Sequence, residues 1–422
     1  MKRLIIMPVM ITFSLFFTDH AWGRPMARDR AKKTAPIRRV NPVAPKLPGR
    51  ATLRKIPDPT TIHVVKTGKI AEERPFRITA CTLNDGHIFV GWEAFADMAG
   101  QPHRGRAGRG ARYNTQFQRR GVDMIYTLTR DSYFLESNNS VPLANGNILL
   151  AFNDKEDQRT GSGRGRYVLL SPEMRVLVGP ITFCQRDPKS ISATSMLDGD
   201  AALIAYGDAS SERYQGKFLI VDSSGKIITR PKPYTNKGDV TEVAAGTTWN
   251  GKAFVAYNCS EDGSLTLEVN VLGNISRWSR ALFNYQTVTG LAVCPLFDKN
   301  TLVLCNRQGA ARSLLIGPDG KYIGGFKQFH PEQAHDMQAT LLSNDNVFVS
   351  FTTPGEKAMC VVLDSTGKRI KGPKALCEGY NVQPGLDTIA QTKLHNDMVA
   401  VVTQGYRKAP HNDDVTLWTV LK

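Results

Sequence analysis

Four arginines stand within ten residues in the stretch "RGRAGRGARY", residues 104–113: Arg104, Arg106, Arg109 and Arg112, separated mostly by glycine. A guanidinium offers a planar fork of N–H donors that fits phosphate, sulfate or carboxylate, and glycine lets the backbone come close to a ligand. The chemistry that suits such a run is anion binding. Three further stretches carry the same residue types. "NDKEDQRTGSGRGRY" holds Arg164 and Arg166, "GDASSERYQG" holds Arg213, and "QGYRKAPHNDD" holds Arg407 with Lys408 and His411. The competing reading of all four is a solvated surface insertion, since charged loops commonly serve solubility alone.

Carboxylates accompany these arginines. Asp154 and Asp208, together with Glu156, Asp157, Glu261 and Asp414, could supply an acid and a base on either side of a glycosidic bond. Asp154 and Asp208 also follow equivalent stretches of a repeated pattern, so repetition accounts for them equally well. There is no G-x-S-x-G elbow, no histidine pair and no Cys/His spacing suited to zinc. No catalytic residue, metal or cofactor is therefore assigned.

What would hold these residues in place is a repeat. Seven turn dipeptides lie between alternating apolar runs: Asp85-Gly86, Asn145-Gly146, Asp198-Gly199, Asn250-Gly251, Asp298-Lys299, Asn344-Asp345 and Asn396-Asp397. They are spaced 60, 53, 52, 48, 46 and 52 residues apart. Asn, Asp and Gly recur because such turns need positive φ. A third apolar run, a polar turn and a fourth run follow each hairpin, as in "GKFLIVDSSGKIITRPKPY" and "MCVVLDSTGKRIKGP". Four short strands in about 50 residues match one blade of a β-propeller.

The chain ends complement each other. The last unit has strands near 388–394, 398–403 and 415–421 and lacks a fourth, whereas "IHVVKT" is an orphan strand ahead of the first hairpin. The expected architecture is all-β: a seven-bladed propeller over 61–422, with the N-terminal strand completing the last blade and leaving no open sheet edge. Ala80, Ser140, Ala193, Ala245, Val293 and Ala339 recur six residues before the turns. They are expected on the innermost strands, where bulk would crowd the axis. The arginine stretches then fall between second and third strands, as enlarged loops sharing one face.

The units, "LDGDAALIAYGDASSERYQGKFLIVDSSGKI" above all, resemble the roughly 50-residue propeller repeats of secreted bacterial proteins, including those of large adhesins. The resemblance covers 61–422 and implies an extracellular repeat domain rather than an activity. The Trp-Asp ending of WD40 repeats, the Gly-Gly of kelch repeats and the Ser-x-Asp-x-Gly-x-x-Trp box of sialidases do not occur.

Lys2 and Arg3 precede an apolar run from Leu4 to Phe17 and then Ala21-Trp22-Gly23, which reads as a signal peptide over 1–23 rather than a spanning anchor. Residues 24–60 carry eleven basic and two acidic side chains among seven prolines, so they read as a disordered basic linker, either a spacer or a tether to an anionic surface. They hold +9 of the net +16. Seven cysteines form no metal motif, and their odd number leaves at least one thiol without an internal disulfide partner. Cys81 and Cys294, on inner strands, read as small buried hydrophobes. Taken together, the sequence describes a secreted or periplasmic module without a transmembrane segment. It would bind a polyanionic or glycan ligand through Arg104, Arg106, Arg109, Arg112, Asp154, Arg164, Arg166, Asp208, Arg213 and Arg407. A propeller-type glycoside hydrolase or lyase and a protein-interaction platform are the alternatives.

Overall fold

The structure is a computed structural model that describes residues 62–421, apart from 63, 70–75, 99–100, 131–134, 158–161, 197–198, 210–212, 236–237, 262, 279–287, 378–379, 383–387, 395–396 and 407–413. The signal-peptide and basic-linker stretches, 1–23 and 24–60, lie outside the described residues, as does Arg407. The described residues belong to one compact unit that begins at Asp58.

Short strands follow one another around an axis. The first blade is β2 (Phe76–Thr82), β3 (Ile88–Met98), β4 (Gln101–Tyr113) and β5 (Arg119–Arg130). The second is β6 (Leu135–Pro142), β7 (Ile148–Asp157), β8 (Ser162–Leu170) and β9 (Val176–Cys184). The third is β10 (Lys189–Met196), β11 (Ala201–Asp208), β12 (Gln215–Asp222) and β13 (Ile227–Pro233). The fourth is β14 (Val240–Thr247), β15 (Ala253–Cys259), β16 (Gly263–Val269) and β17 (Ile275–Trp278). The fifth is β18 (Thr289–Pro295), β19 (Thr301–Arg307), β20 (Ala310–Ile316) and β21 (Tyr322–His330), and the sixth β22 (His335–Leu341), β23 (Val347–Thr352), β24 (Ala358–Leu363) and β25 (Arg369–Ala375). One more sheet runs β26 (Ile389–Lys393), β27 (Val399–Tyr406), β28 (Asp414–Leu421) and then β1 (Val64–Lys69), which pairs antiparallel with β28. Each sheet has four antiparallel strands, and the inner strands β2, β6, β10, β14, β18, β22 and β26 pack in that order, β26 returning to β2. The fold is an all-β propeller of four-stranded blades.

All seven predicted turns adopt the backbone their residues favour. φ is positive at Gly86, Gly146, Gly199 and Gly251, and also at Lys299, Asp345 and Asp397. The second strands are almost wholly buried because each is covered on both faces by neighbouring blades; β11, β15 and β23 have no exposed position.

Around the axis, hydroxyl side chains join one inner strand to the next. Thr79 Oγ1 and Ser140 Oγ lie 2.8 Å apart, as do Thr194 Oγ1 and Thr247 Oγ1. The Ala245 N–H donates to Ser192 Oγ at 3.0 Å. Ala80, Ser140, Ala193, Ala245, Val293 and Ala339 all line an axial cavity of about 360 Å³. Their small side chains leave it open.

None of the seven cysteines is joined in a disulfide, and six are buried. Burial pushes the thiols of Cys81, Cys184, Cys294, Cys305 and Cys360 up to about 12, so they pack as small apolar side chains. Among the described residues no helix is long and apolar enough to cross a membrane.

Candidate anion-binding site

The stretch 104–113 is not a loop. It belongs to β4, the third strand of the first blade, in continuous register with β3 from Ile88↔Tyr113 to Ala96↔Gly105. Arg164 and Arg166 likewise lie in β8 rather than in a loop. The expectation of enlarged loops misjudged what the glycines do. A Cβ on Gly108 would stand 2.3 Å from the Tyr126 ring, one on Gly165 2.5 Å from Phe183, and one on Gly216 2.3 Å from Tyr234. Each glycine seats an aromatic residue in or just after the blade's fourth strand, 18 positions on in the chain. Gly108, Gly165 and Gly216 are thus packing sites in a strand and not sources of flexibility.

The residue after each of these glycines is a cation: Arg109, Arg166 and Lys217. Register places them at the same level, opposite Trp92, Phe152 and Tyr206. In the second and third blades their partners are the candidate carboxylates. Arg166 NH1 lies 2.5 Å from Asp154 Oδ2, and Lys217 Nζ lies 2.5 Å from Asp208 Oδ2. Asp154 is fully buried and Asp208 nearly so. The Cys184 thiol donates to the other Asp208 oxygen at 3.2 Å, joining the second blade to the third. A buried carboxylate is stable only when paired, and these pairs supply that need. Asp154 and Asp208 therefore act as repeated structural ion pairs. In the first blade the position equivalent to Asp154 is Ala94.

The arginines do not share one face. Strand β4 runs from the end of the blade that carries the β2-to-β3 turn's opposite connection down to the turn itself. Arg112 consequently reaches the Asp85-Gly86 turn, where its guanidinium pairs with the Asp85 carboxylate and NH1 donates to Pro172 O at 3.4 Å. Burial works against the charged form of Asp85, yet the His87 backbone N–H, Arg112 and His87 hold its carboxyl below the usual range. Arg104 and Arg106 belong to the other end of β4, where Arg106 pairs with Phe95 of β3 and Thr129 of β5. Arg213 does lie in a connection, exposed, and pairs with Glu261 of the next blade.

The first two blades are longer than the rest at that end. β3 and β4 have 11 and 13 residues against 7 each for β15 and β16. The extra length is roughly 13 Å for β3 and roughly 20 Å for β4 at about 3.3 Å per residue. Arg104 and Arg106 sit on this extension, and Arg164 sits at the matching end of β8, opposite Asp154.

Two acids at the axial cavity also serve joints between blades. Glu242 Oε1 accepts the Leu291 N–H at 2.5 Å. Asp336, at φ 50°, accepts from Thr352 Oγ1 at 3.1 Å and Thr388 Oγ1 at 3.3 Å. A recurring asparagine escaped the sequence reading. Asn153, Asn258 and Asn306 lie in the second strands, and each donates through Nδ2 to a backbone carbonyl leading into the next blade, Pro188, Val288 and Ala334 respectively. Their spacing from the turn, seven residues after Gly146, Gly251 and Lys299, was the available signal. Among the described residues no group of three or more His, Cys, Asp or Glu could hold a metal ion.

No protein-family model matches the sequence, and no curated relative does. Solved propellers match the fold. The BP39L lectin from Burkholderia pseudomallei superposes with a TM-score of 0.56 at 12% identity, covering 82% of this chain and 96% of the lectin. A PL25 polysaccharide lyase, an ulvan lyase bound to a GlcA–Rha3S saccharide, gives 0.52 at 10% identity over 84% of this chain and 95% of the lyase. A fungal alcohol oxidase of the AA5 family in complex with copper gives 0.52 at 9% identity over 85% of this chain and 76% of its own. At these identities the likeness is one of architecture alone.

Proposed function

We propose that the chain is a binding module for an acidic glycan or similar polyanion, which it engages through the extended arginine-bearing hairpins of its first two blades. The observation that supports this is the lengthening of β3 and β4 at the end where Arg104 and Arg106 stand, with Arg164 at the corresponding end of β8 in the next blade. Arg109 and Arg166 form the level beneath, and Arg112 is released from the site by its place at the opposite turn. We place the protein outside the cytoplasm, with 24–60 as an added basic tether. The lectin and the lyase show that comparable scaffolds carry saccharide sites; that is consistent with this reading and assigns no residue.

The test is binding to dextran sulfate. Replacing Arg104, Arg106 and Arg164 with serine should weaken binding about tenfold, and affinity should fall steeply with salt because exposed charges are screened over about 8 Å. The basic tether binds polyanions by itself, so the comparison is made both in the full chain and after removal of 24–56. Equal affinity of the triple variant and the parent in the shortened chain would refute the assignment.

A further inference from the structure

The opposite end of the molecule carries a feature that the arginine reading leaves unused. At the first turn of each blade, one position follows the buried residue that closes the inner strand. In three blades it is small or polar and ties neighbouring turns together. Asn84 Nδ2 donates to Ala144 O at 2.8 Å, Ala144 N–H donates to Gly199 O at 3.0 Å, and Ser343 N–H donates to the Asp397 carboxylate at 2.9 Å. In the fourth and fifth blades the position holds Trp249 and Phe297, 56% and 60% exposed. Rigid turns present them: Gly251 N–H donates to Thr248 O at 2.9 Å, and Leu296 N–H to Asn300 O at 2.8 Å. The Lys299 ammonium, from the fifth blade, stands 4.4 Å from the centre of the Trp249 ring. Two large exposed aromatic rings stand on the turns of adjacent blades, and the cation over Trp249 comes from the turn that carries Phe297.

We propose that Trp249, Phe297 and Lys299 form a carbohydrate-binding platform for an acidic sugar. The apolar C–H face of a pyranose ring stacks on Trp249 or Phe297, and a carboxylate or sulfate on that sugar pairs with Lys299. The size of the patch favours a sugar over a protein partner. A stable protein interface needs about 800 Å² on each side, whereas this patch is two rings with Leu272 the other strongly exposed apolar side chain at that end of the fourth blade. The site lies on the turns opposite the extended hairpins and does not rest on the function proposed for them.

The experiment titrates the full chain with a uronic-acid oligosaccharide, read by tryptophan fluorescence and calorimetry, with maltohexaose as the neutral counterpart. The parent should bind the acidic oligosaccharide saturably. Trp249→Ala should weaken binding about tenfold and Trp249→Phe by less than about threefold, since a ring is what stacking needs. Lys299→Gln should remove the preference for the acidic over the neutral sugar. The same titrations are made with serine at Arg104, Arg106 and Arg164, so that heat from the hairpins does not enter the comparison. Unchanged affinity in Trp249→Ala, or absence of saturable binding by the parent, overturns the proposal. So does loss of binding to anionic lipid vesicles in Trp249→Ala with no oligosaccharide binding, which would make the patch a membrane contact. Melting curves of the two Trp249 variants confirm that each remains folded.

Discussion

Removal of residues 24–69 should lower the melting temperature by roughly 10 °C or more, whereas removal of 24–56 alone should change it by less than about 2 °C. The difference lies in β1. This strand pairs with β28 from Val64↔Leu421 to Lys69↔Leu417 and occupies the outer place of the β26–β28 sheet. Just before it, Ile62 is buried in a cluster with Phe348, Val362, Val399 and Leu421, and Lys374 Nζ donates to its carbonyl at 2.7 Å. Cutting through 69 strips β28 of its outer ladder and bares a sheet edge. With about 1 kcal/mol for each hydrogen bond lost and a buried isoleucine gone, the cost is on the order of 5 kcal/mol. Differential scanning calorimetry of the two truncations decides it, and equal melting would mean that the strand is dispensable.

Asp208→Ala should cost about 3 kcal/mol, the lower end of the range for breaking a buried pair, because Lys217 retains some access to water. The change removes the carboxylate 2.5 Å from Lys217 Nζ and the acceptor of the Cys184 thiol. The double variant Asp208→Ala/Lys217→Met should recover most of the loss, since replacing both partners by apolar groups is often neutral. Urea midpoints measure both. If the single variant is as stable as the parent, the pair is not a structural joint between the second and third blades, and Asp208 returns as a candidate for chemistry.

The architecture was legible because its determinants are local. Asn-Gly, Asp-Gly and Asn-Asp turns state their own backbone, and even Lys299 takes the positive φ that its place in the repeat demands. The alternation of apolar residues between them then fixes the faces of each strand. Small residues such as Ala80 and Ala339 were recognisable as axial for the same reason: the requirement repeats with the blade.

The site was much less legible. Gly108 and Gly110 looked like freedom of the chain, yet Gly108 is empty because Tyr126 fills the space a side chain would take. That relation links two strands through their pairing and shows in the sequence only as a glycine with an aromatic 18 residues later. Asp154 and Asp208 were visible as acids, but their cations stand on the neighbouring strand, at a diagonal that no local pattern reveals. Arg112 was grouped with Arg104 although eight residues of extended strand carry it to the other end of the blade. Trp249 and Phe297 belong to no motif, and only their exposure sets them apart.

The most direct measurement is a structure of the protein with a sulfated disaccharide bound. The account predicts the sulfate against Arg104, Arg106 and Arg164 at the extended end of the first two blades, with Asp154 and Asp208 still paired to Arg166 and Lys217. A saccharide seated instead in the axial cavity, with Glu242 and Asp336 turned toward its glycosidic bond, would contradict it.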